Sequence, residues 1–143
     1  MDIFTTFHIA GSALKAQRIR LNTISSNIAN VETTSTPEGG PYKRKSVVFE
    51  TSNLPFDKHL DNSINNAVKG VVVAKITEDN SPPNMIYNPS HPDANEEGYV
   101  AMPDISVLKE MVDMMSATRS YEANTATIKS AKRMALKALE IGR

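Results

Sequence analysis

The sequence predicts an α+β fold: long N- and C-terminal helices paired as an antiparallel coiled coil, with a small Pro-rich β-hairpin or extended segment between them. Three observations carry this. All 8 prolines of the 143 residues fall between Pro37 and Pro103, and a proline inside a helix costs about 3 kcal/mol. Both proline-free ends show helical periodicity. The middle instead alternates turn clusters with short β-branched runs. The expected units are 1–35 with 104–143, forming one discontinuous helical domain, and 36–103, forming a β-rich connecting domain.

The first segment is periodic from its start. Ile3, Phe7, Ala10, Leu14, Gln17, Leu21, Ile24, Ile28 and Val31 follow alternating steps of four and three. That is the 3.5-residue repeat of a coiled-coil seam, interrupted only by polar Gln17. Asp2 is placed to cap the first turn, and the run ends in Thr33-Thr34-Ser35-Thr36-Pro37. A helix over about residues 3–30 spans roughly 40 Å.

In the middle, Pro37-Glu38-Gly39-Gly40-Pro41 is a turn cluster. Residues 42–50 and 67–77 read as strands, and residues 99–102 as a short last strand. Residues 79–98, with Pro82, Pro83, Pro89 and Pro92, read as irregular or extended.

Pro103-Asp104 then forms a stop-and-cap pair for the second helix. Its stripe runs Leu108, Met111, Met115, Thr118, Tyr121, Thr125, Ile128, Ala135 and Leu139, and Gly142 stands where a stop is expected. Residues 104–122 are net −2 and residues 123–143 net +4, a polarity that suits the helix dipole. Neither helix can bury its stripe on the small middle. The two can bury one face on each other, which leaves apolar positions for other molecules to cover. A chain this small buries little surface alone, so partial disorder of the monomer and folding on assembly are expected.

Composition excludes several functions. Sixteen basic and sixteen acidic residues cancel, unlike the basic face of a nucleic-acid binder. The absence of Cys removes disulfides, thiolate metal sites and a Cys nucleophile. No stretch approaches the roughly 18 apolar residues of a membrane helix, and the N-terminus lacks the pattern of a cleaved secretory signal. No membrane insertion is expected. His8, His59 and His91 have no His or Cys at ligand spacing; His59 between Asp57 and Asp61 reads as a solvated loop, not a metal cluster. Lys43-Arg44-Lys45 reads as a solvated strand face or a partner contact. No nucleophile motif or phosphate loop is present. Catalytic, cofactor and metal residues are therefore expected to be absent. The terminal helices look like interaction elements, with subunit-packing faces on Phe7, Leu14, Leu21, Ile24, Ile28, Leu108, Met111, Met115, Tyr121, Ile128 and Leu139.

Leu21-Asn22-Thr23-Ile24-Ser25-Ser26-Asn27-Ile28-Ala29-Asn30, continuing to Thr34, resembles the N-terminal signature of the flagellar axial proteins of rod and hook. The segment from Thr36 through Gly39-Gly40 to Lys45, His91-Pro92-Asp93-Ala94 and Gly98-Tyr99-Val100-Ala101-Met102-Pro103 are similar to proximal-rod members. So are Glu110-Met111-Val112-Asp113-Met114-Met115, Tyr121-Glu122-Ala123-Asn124 and the run from Met134 to Gly142.

The resemblance implies a structural subunit of the flagellar basal-body rod. It implies partners among other rod proteins, the rod-to-ring junction protein and copies of this chain, with no nucleic acid. It also implies export by the flagellar type III apparatus without a cleaved signal, and a place in the periplasm-spanning rod. The alternatives are another axial subunit or a helical interaction module of a secretion system.

Overall fold

The computed structural model describes residues 3–52 and 69–141. Among these residues two helices, α1 (Ile3–Ala29) and α2 (Val107–Ile141), enclose four strands in sequence: β1 (Lys45–Thr51), β2 (Val71–Glu78), β3 (Asn84–Tyr87) and β4 (Tyr99–Met102). The strands form two separate antiparallel pairs, β1 with β2 and β3 with β4. The architecture is α+β. No helix among the described residues is long and apolar enough to cross a membrane.

α1 follows the periodic run closely. Its seam residues Ala10 and Ile24 are buried, and Phe7, Leu14, Leu21 and Ile28 are half-buried. α1 packs on α2 and also meets β1 and β2. The middle thus covers part of α1, while α2 remains its main packing partner. Thr23 and Asn27 are buried, and Ser12 Oγ, donating to the Ile9 carbonyl at 2.8 Å, accepts the Val71 amide at 3.0 Å. Asp2 and Gly142, expected as caps, lie outside the described residues.

α2 starts later than the Pro103-Asp104 pair suggests. Ser106 occupies the cap position: its carbonyl accepts the Glu110 amide at 3.0 Å, and its Oγ lies 3.5 Å from the Lys109 amide. Pro103 is buried and Asp104 exposed. The side of α2 turned inward mixes alanines with polar and larger apolar residues: Glu110, Ala117 and Ala131 are buried, while Asp113, Met114, Asn124, Ile128 and Ala135 are half-buried. Around its middle turns, Thr118, Ser120, Asn124, Thr125 and Thr127 each donate to the carbonyl four residues back, at 2.8–3.0 Å.

The β1–β2 ladder pairs Lys45 with Glu78 and Thr51 with Val71, with a register shift where Val48 faces Lys75 but Phe49 faces Val73. Ala74 is the extra residue of a bulge. It keeps half-buried Phe49 and Val73 opposite one another while Val48 and Lys75 stay exposed. β3 lies inside the proline-rich stretch 79–98, read as irregular or extended, and is an extended part of it. Pro82, Pro83 and Pro89 flank the strand without entering it, so no ladder bond is lost.

The turn at Gly39-Gly40 has φ of 90° and 76°, values that a Cβ disfavours. The Gly40 carbonyl accepts from the Thr36 amide at 3.0 Å and from Thr36 Oγ1 at 3.1 Å.

Candidate functional site

Among the described residues a connected polar cluster joins α1, β1 and the start of α2. Asn27 is fully buried. Its Nδ2 donates to the Lys45 carbonyl at 2.8 Å and to Glu110 Oε2 at 3.0 Å. Its Oδ1 accepts from the Lys45 amide at 2.9 Å and from the Tyr42 hydroxyl at 3.2 Å. Two acceptors on one side and two donors on the other fix the amide orientation and use its full capacity.

Glu110, 1% exposed, holds the other half of the cluster. Arg44 Nε and Nη2 converge on Glu110 Oε1 at 2.8 and 2.7 Å. Asp113 extends the chain of charges, 3.3 Å from Arg20 Nη2 and 4.0 Å from Arg44 Nη2. A buried carboxylate is tolerated only when its lone pairs are met by such partners. The contacts Asn27–Glu110 and Arg20–Asp113 step forward on α2 while stepping back on α1, so the helices run in opposite directions.

The basic triplet is thus not a uniform solvated face. Arg44 turns inward to Glu110, while Lys45 pairs with Glu78 at 3.3 Å and Lys43 Nζ donates to Asn80 at 3.1 Å.

The exit from α1 is fixed by the same signature. Asn30 Nδ2 donates to the Ser26 carbonyl at 2.8 Å, its Oδ1 accepts from Thr33 Oγ1 at 3.2 Å, and the Thr33 carbonyl accepts the Tyr42 amide at 3.0 Å. Ser26 Oγ lies 3.4 Å from the Tyr42 hydroxyl; Ala29 is exposed. Thr34 Oγ1 donates to Asp93 Oδ2 at 2.7 Å, which ties the 88–98 loop to the segment after α1. In that loop His91 Nδ1 accepts the Asp93 amide at 3.1 Å. Nearby, the Ser81 hydroxyl and amide both donate to Asp79 and hold its carboxyl below the usual aspartate range.

Of the expected packing residues, those of α1 and Ile128 are at least half-buried within the chain. Leu108, Met111, Met115 and Leu139 are 74, 52, 56 and 71% exposed, and Tyr121 is 36% exposed. In the second signature Glu122 and Ala123 are exposed, while Asn124 is half-buried and donates to the Ser120 carbonyl. Sequence reasoning missed Arg44 and Glu110 as partners. It also missed the column Glu110, Ala117, Asn124 and Ala131, whose seven-residue recurrence was the available signal. His59, with Asp57 and Asp61, lies outside the described residues. Among the described residues no group of three or more His, Cys, Asp or Glu is placed to hold a metal ion.

Comparison with known proteins places this arrangement. Residues 7–35 match the family described as flagella basal body rod protein, and residues 96–141 that described as flagellar basal body rod FlgEFG protein C-terminal. The chain is 46% identical to flagellar basal-body rod protein FlgC of Bacillus subtilis, over 100% of both chains. The chain belongs to the FlgC family of flagellar basal-body rod proteins. It is 44% identical to the Borreliella burgdorferi member over 99% of this chain and 98% of that one. For the Salmonella typhimurium member the figure is 42%, over 99% of each. As a member of this family the chain is a structural subunit of the flagellar basal-body rod. The two family matches coincide with α1 and its exit, and with β4 and α2.

Proposed function

We propose that this chain is a proximal-rod subunit that polymerises into the helical drive shaft carrying motor torque, and is required for flagellum assembly and motility. The observation that carries this is the unequal burial of the two helices. α1 turns its seam into the chain, whereas α2 spends small side chains on α1 and leaves Leu108, Met111, Met115 and Leu139 uncovered. Unlike patches that meet between subunits build an open helical tube whenever the rotation does not close.

In this reading, residues 1–35 and 104–143 form the tube-building domain as an antiparallel coiled coil, and residues 36–103 form the connecting domain outside. The seven-residue recurrence of Glu110, Ala117, Asn124 and Ala131 supports that pairing. Partners are other rod subunits, the rod-to-ring junction protein, the flagellar type III export apparatus and copies of this chain. The site of action is the periplasm-spanning basal body, reached without a cleaved signal. The chain does mechanical work only, and its helices order fully on assembly.

The test is deletion of the gene followed by electron microscopy of purified basal bodies. Truncated basal bodies, restored by the unsubstituted chain, are the expected result. Complete rods in the deletion strain contradict the proposal.

A further inference from the structure

The β3–β4 hairpin and the far end of α2 carry opposite charge and uncovered apolar surface. Residues 78–104 hold six carboxylates (Glu78, Asp79, Asp93, Glu96, Glu97 and Asp104) and no Lys or Arg. The ladder puts Met85 opposite Ala101 and Tyr87 opposite Tyr99, so these four share one face, with buried Val100 on the other. Met85 and Tyr87 are 51 and 65% exposed, and the Tyr87 and Tyr99 rings meet edge to face at 5.4 Å. A two-stranded hairpin is marginal in water unless its apolar face is covered.

The complementary surface lies on α2. Residues 129–141 hold Lys129, Lys132, Arg133 and Lys137 against Glu140 alone. Lys137 already pairs with Glu140 at 2.6 Å; Lys129, Lys132 and Arg133 have no ion pair among the described residues. At 3.6 residues per turn, Lys129, Lys132, Arg133 and Leu136 share a stripe about 100° wide, turned away from buried Ala131.

The two surfaces cannot meet within one chain. The hairpin enters α2 at its N-terminal end, and the Thr34–Asp93 bond holds its loop just past the C-terminal end of α1. The helices are antiparallel, so this is the same end of the pair. Lys129 lies 22 residues beyond Val107, about 33 Å along the helix.

We propose that the β3–β4 hairpin of one subunit docks on the Lys129–Lys132–Arg133–Leu136 stripe of α2 in a second copy, with Met85, Tyr87 and Tyr99 facing Leu136 and the acidic loop facing the cations. This rests on the rod-subunit reading above and specifies one of its contacts. The contact is head to tail, as a helical array requires.

The absence of Cys makes a direct test available. One chain carrying Glu97→Cys and another carrying Arg133→Cys are co-expressed in the deletion strain, and purified basal bodies are oxidised. A disulfide-linked dimer is expected with the two chains together and with neither alone. Adding Glu96→Lys to the first chain and replacing its Asp93 by Lys is expected to lower the yield about tenfold or more, since like charges then face each other. Lys129→Glu with Lys132→Glu in the second chain is expected to restore it.

Basal bodies that contain both chains yet give no linked dimer overturn the proposal, as does failure of the reciprocal reversal to restore linkage. Linkage to a different rod protein overturns the second copy as occupant. If the unsubstituted chain builds no basal bodies in the same strain, the rod reading itself fails, and this contact with it.

Discussion

Replacing Asn27 with alanine removes four hydrogen bonds at once and leaves the Lys45 amide, the Lys45 carbonyl and Glu110 Oε2 short of a partner. Each buried orphan costs about 1–3 kcal/mol, so Asn27→Ala is expected to lower the urea midpoint of the folded chain and to speed amide exchange at Lys45. Asn27→Asp is expected to be worse, because it sets a second carboxylate against Glu110. Arg44→Ala strips the counter-ion from that buried acid, a change that typically costs about 3–5 kcal/mol. Little of this was legible in the sequence. Asn27 stood out as part of a signature, but a polar residue in a helix reads as surface. Arg44 and Glu110 lie 17 and 83 residues away from it, beyond the reach of any periodicity. Their pairing depends on tertiary packing that brings the start of β1 and the start of α2 to the same turn of α1.

At the scale of elements, the two helices offer a contrast that mutation can separate. Ile24 is 5% exposed and Ile28 half-buried. Aspartate at either position is expected to abolish rod assembly and motility while export continues, read by swimming assays and by the subunit appearing outside the cytoplasm. Ile24→Asp is also expected to lower the thermal midpoint, since it buries a charge. Met115→Asp, on a side chain 56% exposed, is expected to block assembly with the midpoint nearly unchanged. The periodicity located α1 to within a residue at each end, because a long amphipathic repeat is strongly constrained. The bounds of β4 also matched. β3 was read only as part of an irregular or extended stretch, because a four-residue strand among prolines gives no alternation long enough to bound it. The inward face of α2 was not singled out for a different reason: the largest apolar side chains dominate its sequence pattern, whereas the buried apolar positions on α2 are the small Ala117 and Ala131.

For the whole molecule, order is expected to be uneven before assembly. The junction of Asn27, Arg44 and Glu110 clamps one end of the helix pair. At the other end Leu136, Leu139 and Ile141 are 51, 71 and 84% exposed. Amide exchange in dilute solution is therefore expected to be slow near residues 110–117 and fast beyond residue 131. Protection of the latter should rise sharply in intact basal bodies. Uniform protection along α2 in the isolated chain would contradict folding on assembly.

The returning side-chain bonds of α2 bear on how tightly such a shaft can be drawn together. To a hydropathy scale Thr118, Ser120, Asn124, Thr125 and Thr127 look like a wet stretch. Yet the four hydroxyls among them each already donate to their own helix, so expelling solvent from beside them strands no O–H; Asn124 Nδ2 spends one of its two protons the same way. A polar-looking stretch can thus be squeezed dry between neighbours, giving stiffness without the greasy exterior that would clump the chain in transit.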